Sequence, residues 1–164
     1  MMAGASAATT MGFSTLDGLL MSTRCGAIDP GVILHLLQDR KLSPDQLTEL
    51  LYERSGLLGI SGISGDMQTL LASKDAAARR AIDFFVYRIG REIGSLAAAL
   101  GGLDTLVFTA GIGEHAPQIR QRICEAAAWL GVVIDDGLNR GGEALVPADE
   151  ERAVAMELLD LETV

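Results

Sequence analysis

LVFTAGIGEHAPQIR, residues 106–120, decides the fold. The apolar run Thr105–Thr109 suits a buried parallel strand. It turns through Gly111-Ile112-Gly113-Glu114 into a helix entered at Pro117, where a missing N–H costs nothing. Ile119, Ile123, Ala127 and Leu130 lie on one face of that helix, and Gly131 is its stop. Downstream, Val132–Ile134 and Ala144–Val146 read as two further short strands, and Asp149 caps a last helix through Leu159. Upstream, Ile82, Phe85, Val86, Ile89, Ile93, Leu96 and Leu100 give a long helix over Lys74–Leu100, ended by Gly101-Gly102. Strands interleaved among dominant helices predict an α/β domain, helix-rich with a small mixed sheet.

The remaining upstream chain adds local signals. Asp29-Pro30 starts a helix with Val32, Ile33, Leu36 and Leu37 as its apolar face. Ser43-Pro44, with Gln46 three residues after the serine, starts a second through a capping box, with Leu47, Leu50 and Leu51 inward and Gly56 as its stop. In Leu57–Gly65 (LLGISGISG) a glycine recurs every third residue, which predicts turns rather than helix. Met1–Thr10 is small residues around two methionines and reads as a loop.

The 164 residues suit one domain, 1–164. Thirteen basic against twenty-two acidic side chains, a net charge of −9, argue against a broad grip on nucleic acid or anionic lipid. Two cysteines, Cys25 and Cys124, make no disulfide framework or zinc site and suit a cytoplasmic setting. No signal peptide is expected from Met1–Thr10. Ala81–Leu100, the longest apolar candidate, carries Asp83, Arg88, Arg91 and Glu92, as a half-buried soluble helix would and a membrane span would not.

Four places carry candidate chemistry. A glycine turn between strand and helix lets backbone N–H groups approach a nucleotide, or is simply a tight turn. It is neither a Walker loop nor the full Gly-x-Gly-x-x-Gly fingerprint. Arg24 is the only lysine or arginine among the first 39 residues. A cation in so apolar a stretch needs an anion, either Asp17 or Asp29 or a phosphate, whose oxygens the planar guanidinium suits. Asp66, before Met67 and Gln68, reads first as a helix cap. The acidic run from Asp149, with Glu150 and Glu151, caps a helix or holds Mg²⁺. His35 reads as a core-edge or surface residue, and His115 as a neutral hydrogen-bonding one.

Together TTMGFSTLDGLLMSTRCGAIDP (Thr9–Pro30), SGLLGISGISGDM (Ser55–Met67), LGGLDTLVFTAGIGEHAPQIR (Leu100–Arg120) and VPADEE (Val146–Glu151) resemble, in order and spacing, the C-terminal half of the acetokinase family. The resemblance implies a ribonuclease-H-like domain of the actin and sugar-kinase (ASKHA) superfamily, binding ATP and dimerising, with the N-terminal domain absent. It implies the chemistry ATP + acetate ⇌ ADP + acetyl phosphate in a homodimeric enzyme with Mg²⁺. Other readings are a catalytically incompetent nucleotide-binding remnant, or half of a propionate or butyrate kinase. By resemblance, Arg24 is the transition-state arginine, and Asp66, Met67 and Gln68 lie on the adenosine side. Gly111, Ile112, Gly113, Glu114 and His115 match the nucleotide loop, and Glu150 matches the magnesium-linked glutamate. Gln68 stands where the family has arginine, His115 where it has asparagine, Ser22 where it has glycine and Ala148 where it has threonine. The family's His-Leu-Gly-Asn-Gly phosphate loop is not recognisable.

Overall fold

The computed structural model describes residues 1–141. These form two compact units, Thr9–Glu92 on one side of the division and Met1–Ala8 with the chain from Ile93 on the other.

In the Thr9–Glu92 unit the local start signals act as read. Asp29 Oδ1 accepts the Gly31 N–H at 2.7 Å and Pro30 opens α1 (Pro30–Gln38). Ser43 and Gln46 close both bonds of the capping box that starts α2 (Pro44–Glu53), at 3.2 and 2.9 Å. Leu47 and Leu51 are buried, with Leu50 half-buried. α1 packs on α2 and fully buries no residue; Ile33, Leu36 and Leu37 are half-buried, while Val32, expected inside, is exposed.

Beyond α2 the turn-rich expectation fails for Leu57–Ser61, which is helical, and holds for the bends of Gly62–Gly65. Gly56 does not stop a helix; it opens α3 (Gly56–Ser61), and Leu57 is fully buried. A helix start leaves orphan N–H donors. Here Leu57 N–H donates to Met21 O at 2.9 Å and Leu58 N–H to Ser22 O at 3.0 Å. Those acceptors lie more than thirty residues away in sequence, so local reading could not supply them. Gly62, at φ +65°, caps α3 in the left-handed region. Asp66 then starts α4 (Met67–Ala72), which buries Met67 and Leu70.

α5 (Ala76–Leu100) is the long helix as read, and the division between units falls inside it. Ala78, Ala81, Ile82, Phe85, Val86, Ile93 and Ala97 form its buried stripe. Gly101 and Gly102, both at positive φ, end it. No helix among the described residues is long and apolar enough to cross a membrane.

In the second unit the glycine turn is helical. Ala110–His115 is α6, followed by α7 (Pro117–Ala126), a 3₁₀ turn at Ala128–Leu130, and α8 (Asp136–Gly141). Ile119, Ile123 and Ala127 are buried as expected, and Gly131 stops the 3₁₀ turn at φ +84°. Thr105–Thr109 and Val132–Ile134 are not strands: among the described residues there is no sheet, only an isolated antiparallel bridge between Met2 and Ala5. Both segments lack a ladder partner, and an apolar run without one is only extended chain. Ala144–Val146, Asp149 and Glu150 lie outside the described residues.

Candidate functional site

Arg24 sits on a stretch pinned by four backbone hydrogen bonds and one from a side-chain hydroxyl. Besides the two α3 donors to Met21 and Ser22, Ser55 N–H donates to Thr23 O at 2.8 Å, and Cys25 N–H donates to Leu51 O at 3.0 Å. The Thr23 hydroxyl donates to Tyr52 O at 2.7 Å. The glycines make this approach possible. A Cβ on Gly65 would lie 2.8 Å from Ser22 O, and one on Gly56, at φ +63°, would strike the Met21 and Ser22 carbonyls. Gly56 and Gly65 thus let the Met21–Ser22 backbone pack against the start of α3 and the turn before Asp66.

Arg24 as a residue is half-buried, while the hydrogen bond of its guanidinium is exposed. Its Nη1 donates to Thr15 Oγ1 at 3.1 Å and its Cζ lies 5.8 Å from the centre of the Tyr52 ring. The two carboxylates considered as partners are engaged elsewhere: Asp17 Oδ1 accepts the Gly18 N–H at 2.8 Å and Asp29 caps α1. Among the described residues no carboxylate pairs with Arg24.

In the same unit Asp66 is a helix cap. Its Oδ2 accepts the Thr69 N–H at 2.8 Å and the Thr69 hydroxyl at 2.7 Å. The Thr69 bonds, hydroxyl first, hold its carboxyl below the usual carboxylate range. Met67 is core, whereas Gln68 is exposed and open to a ligand. His35 pairs with Asp39 at 2.8 Å on the surface.

The second unit assembles around a residue that sequence reading left without a role. Arg120 is 3% exposed and donates from Nε to Asn139 Oδ1 (2.7 Å). Its Nη1 donates to Gly113 O (2.7 Å) and Glu114 O (2.8 Å), and its Nη2 to Asn139 O. Asn139 Nδ2 in turn donates to Pro117 O at 3.0 Å. One guanidinium therefore ties the end of α6 and the start of α7 to α8. Its sequence signal was a charge between Ile119 and Ile123 on the apolar face of the helix; Asn139 gave none.

Around that tie the expected nucleotide residues separate into roles. Gly113 packs tightly, since a Cβ there would lie 3.3 Å from the Phe108 carbonyl carbon. Gly111 is exposed, has no positive φ, and a Cβ on it would meet nothing within 4 Å. The described fold gives no reason for glycine at 111. Ala110, at φ +61°, is strained directly before it. Ile112 is half-buried. Glu114 Oε1 is buried without a hydrogen-bond partner among the described residues, and its Oε2 lies 3.8 Å from Nε2 of the exposed His115.

A cavity of about 520 Å³ opens in this unit, lined by Thr105, Phe108, Arg120, Cys124, Val133 and Asn139 among others. Burial pushes the Cys124 thiol up, against the opposing pull of Arg120, and burial likewise raises Cys25. No group of three or more His, Cys, Asp or Glu among the described residues could hold a metal ion.

Known proteins match both sequence and coordinates. The acetate kinase of Rhodopseudomonas palustris (strain TIE-1) is 64% identical over 134 residues, covering 82% of this chain and 34% of its own length. That of Rickettsia felis is 49% identical over 168 residues, covering 95% and 44%. The crystal structure of Porphyromonas gingivalis acetate kinase superposes with a TM-score of 0.79 at 33% identity, covering 92% of this chain and 42% of that one. A propionate kinase from Francisella tularensis gives 0.78 at 35% identity, with 90% and 42% covered. The chain thus spans between a third and a half of the length of these relatives. The profile of the Acetokinase family matches residues 1–162, and the chain belongs to the acetokinase family.

Proposed function

We propose that this chain carries the nucleotide-facing side of an acetate kinase-type phosphotransferase, ATP + acetate ⇌ ADP + acetyl phosphate. The observation that carries the reading is Arg24: a guanidinium on a firmly bonded stretch, with no carboxylate partner among the described residues. That suits a charge kept for phosphoryl oxygens. In the reaction a carboxylate oxygen attacks the γ-phosphorus in line while the bond to the ADP oxygen breaks. Arg24 offsets charge on the transferring group, a role worth about 10³–10⁵ in rate where it is filled.

Gly111, exposed and with open space at its Cβ position, supports close approach of a nucleotide backbone-on. Ile112, Gly113 and His115 complete that segment, with Asp66, Met67 and Gln68 on the adenosine side. Met67 would act there only by packing, since it is buried. Mg²⁺ would supply neutralisation of the phosphate charge there. Glu150, outside the described residues, is the carboxylate assigned to it. The whole of 1–164 is read as one ribonuclease-H-like, cytoplasmic, dimerising domain. Exposed Phe84 and Tyr87 on α5, and Trp129 in the second unit, support a dimer.

Calorimetric titration with MgATP tests the reading: binding is expected, and Arg24→Ala should lose phosphoryl transfer with an unchanged circular dichroism spectrum. No heat of binding at millimolar nucleotide would overturn it. An acetyl phosphate assay separates an active chain from a binding-only one. The Francisella neighbour keeps propionate open as the acceptor, which the same assay decides.

A further inference from the structure

We infer that Tyr52 is a positioning residue for Arg24, its ring an aromatic platform that orients the guanidinium while leaving its in-plane donors available to phosphoryl oxygens. This rests on the reading of Arg24 given above.

The backbone sets the register. Thr23, before Arg24, bonds through its hydroxyl to Tyr52 O, and Cys25, after it, bonds through its N–H to Leu51 O. Two bonds flanking position 24 therefore reach two consecutive residues, so the side chains of Arg24 and Tyr52 meet by construction. The guanidinium lies 5.8 Å from the ring centre, within the range of a cation–π contact.

The chemistry of the platform decides the inference. A guanidinium presents five N–H donors in its plane. A carboxylate would fix it by occupying two of them and neutralising its charge. The ring face does neither, and Thr15 takes a single bond from Nη1 at 3.1 Å. The cation is thus held by one hydroxyl and over a ring face, with donors remaining for an anion.

Proton NMR of the wild-type chain reads the stack directly, independent of any ligand. The Arg24 δ and ε protons should be shifted upfield by the ring current, retained in Tyr52→Phe and lost in Tyr52→Leu. Random-coil shifts in the wild type would overturn the inference. Titration with inorganic pyrophosphate reads the consequence. Tyr52→Phe should bind as the wild type does, and Tyr52→Leu about two- to five-fold more weakly, the loss of one exposed cation–π contact. A Tyr52→Phe loss as large as that of Tyr52→Leu would assign the effect to the hydroxyl and overturn the platform. Should Arg24→Ala bind pyrophosphate as the wild type does while the ring-current shift is present, the phosphoryl reading of Arg24 fails and the stacking geometry stands. Equal affinity in Tyr52→Leu and the wild type, with Arg24→Ala impaired, removes Tyr52 alone.

Discussion

Replacing Arg120 by methionine should destabilise the chain by about 3–5 kcal/mol. Methionine keeps most of the buried apolar stem and removes the four donated bonds to Gly113 O, Glu114 O, Asn139 O and Asn139 Oδ1. Each acceptor left unpaired in the interior costs about 1–3 kcal/mol. Against that stands relief from holding a guanidinium at 3% exposure, several kcal/mol in the other direction. The loss wins because no carboxylate shares the cluster: all four acceptors are neutral carbonyl oxygens that gain nothing when the cation leaves. At about 2–4 °C per kcal/mol for a chain of this size, the thermal midpoint should fall by roughly 6–20 °C.

Urea unfolding followed by far-ultraviolet dichroism measures the change, with the fluorescence of Trp129, the one tryptophan, reporting its own unit. Asn139→Ala should cost less, since it removes side-chain bonds to Arg120 and Pro117 and keeps the backbone acceptor. In the double variant the losses should fall short of additivity by about 0.5–3 kcal/mol, as for residues of one network. Arg120→Met within 1 kcal/mol of the wild type would refute the claim that this guanidinium ties α6, α7 and α8.

Gly56→Ala should cost at least about 2 kcal/mol, because it combines a left-handed φ with collision against the Met21 and Ser22 backbone; Gly62→Ala, also left-handed but in open space, should cost about 1 kcal/mol. Urea midpoints compare the two, and equal losses would remove the backbone approach as the reason for Gly56. Asp66 is depressed below 3.8 by Thr69, so the stability it adds is complete above that value and lost as pH falls through its lower folded one. Asp66→Asn should flatten that acid limb, and a pH profile unaltered below 3.8 would contradict the cap.

Legibility followed the range of the interaction. Asp29 and Ser43 close their bonds within three residues, and both caps were readable for that reason. The long apolar period of α5 was equally plain. α3 was not, since its first N–H groups reach Met21 and Ser22 and its glycines look like turn residues until that neighbouring backbone is known. Arg24 was legible as a cation short of an anion. Its setting was not, because Thr15 and Tyr52 come from both sides of the sequence and neither carries charge. Arg120 has no local signature of its role, since a helical arginine is usually solvated and nothing nearby in sequence announces four buried acceptors.

The extended segments show the same rule at its limit. A helix closes its hydrogen bonds within itself, residue i to i−4, so α5 to α8 need no distant partner to exist. A strand is a property of a pair, and its apolar composition reports only what it would bury once paired. Thr105–Thr109 and Val132–Ile134 have that composition, yet Val107 is 44% and Val133 91% exposed. Side chains meant for a sheet face stand open where no ladder is made. The two segments border one cavity with Arg120 and Asn139, so among the described residues the helical side of this unit is held by a polar tie, and its extended side by half-buried Leu106, Phe108, Val132 and Ile134 with no ladder. Energetically the unit is therefore lopsided, which is why the Arg120 substitution should weigh so heavily: among the described residues no sheet shares the work of holding α6 in place.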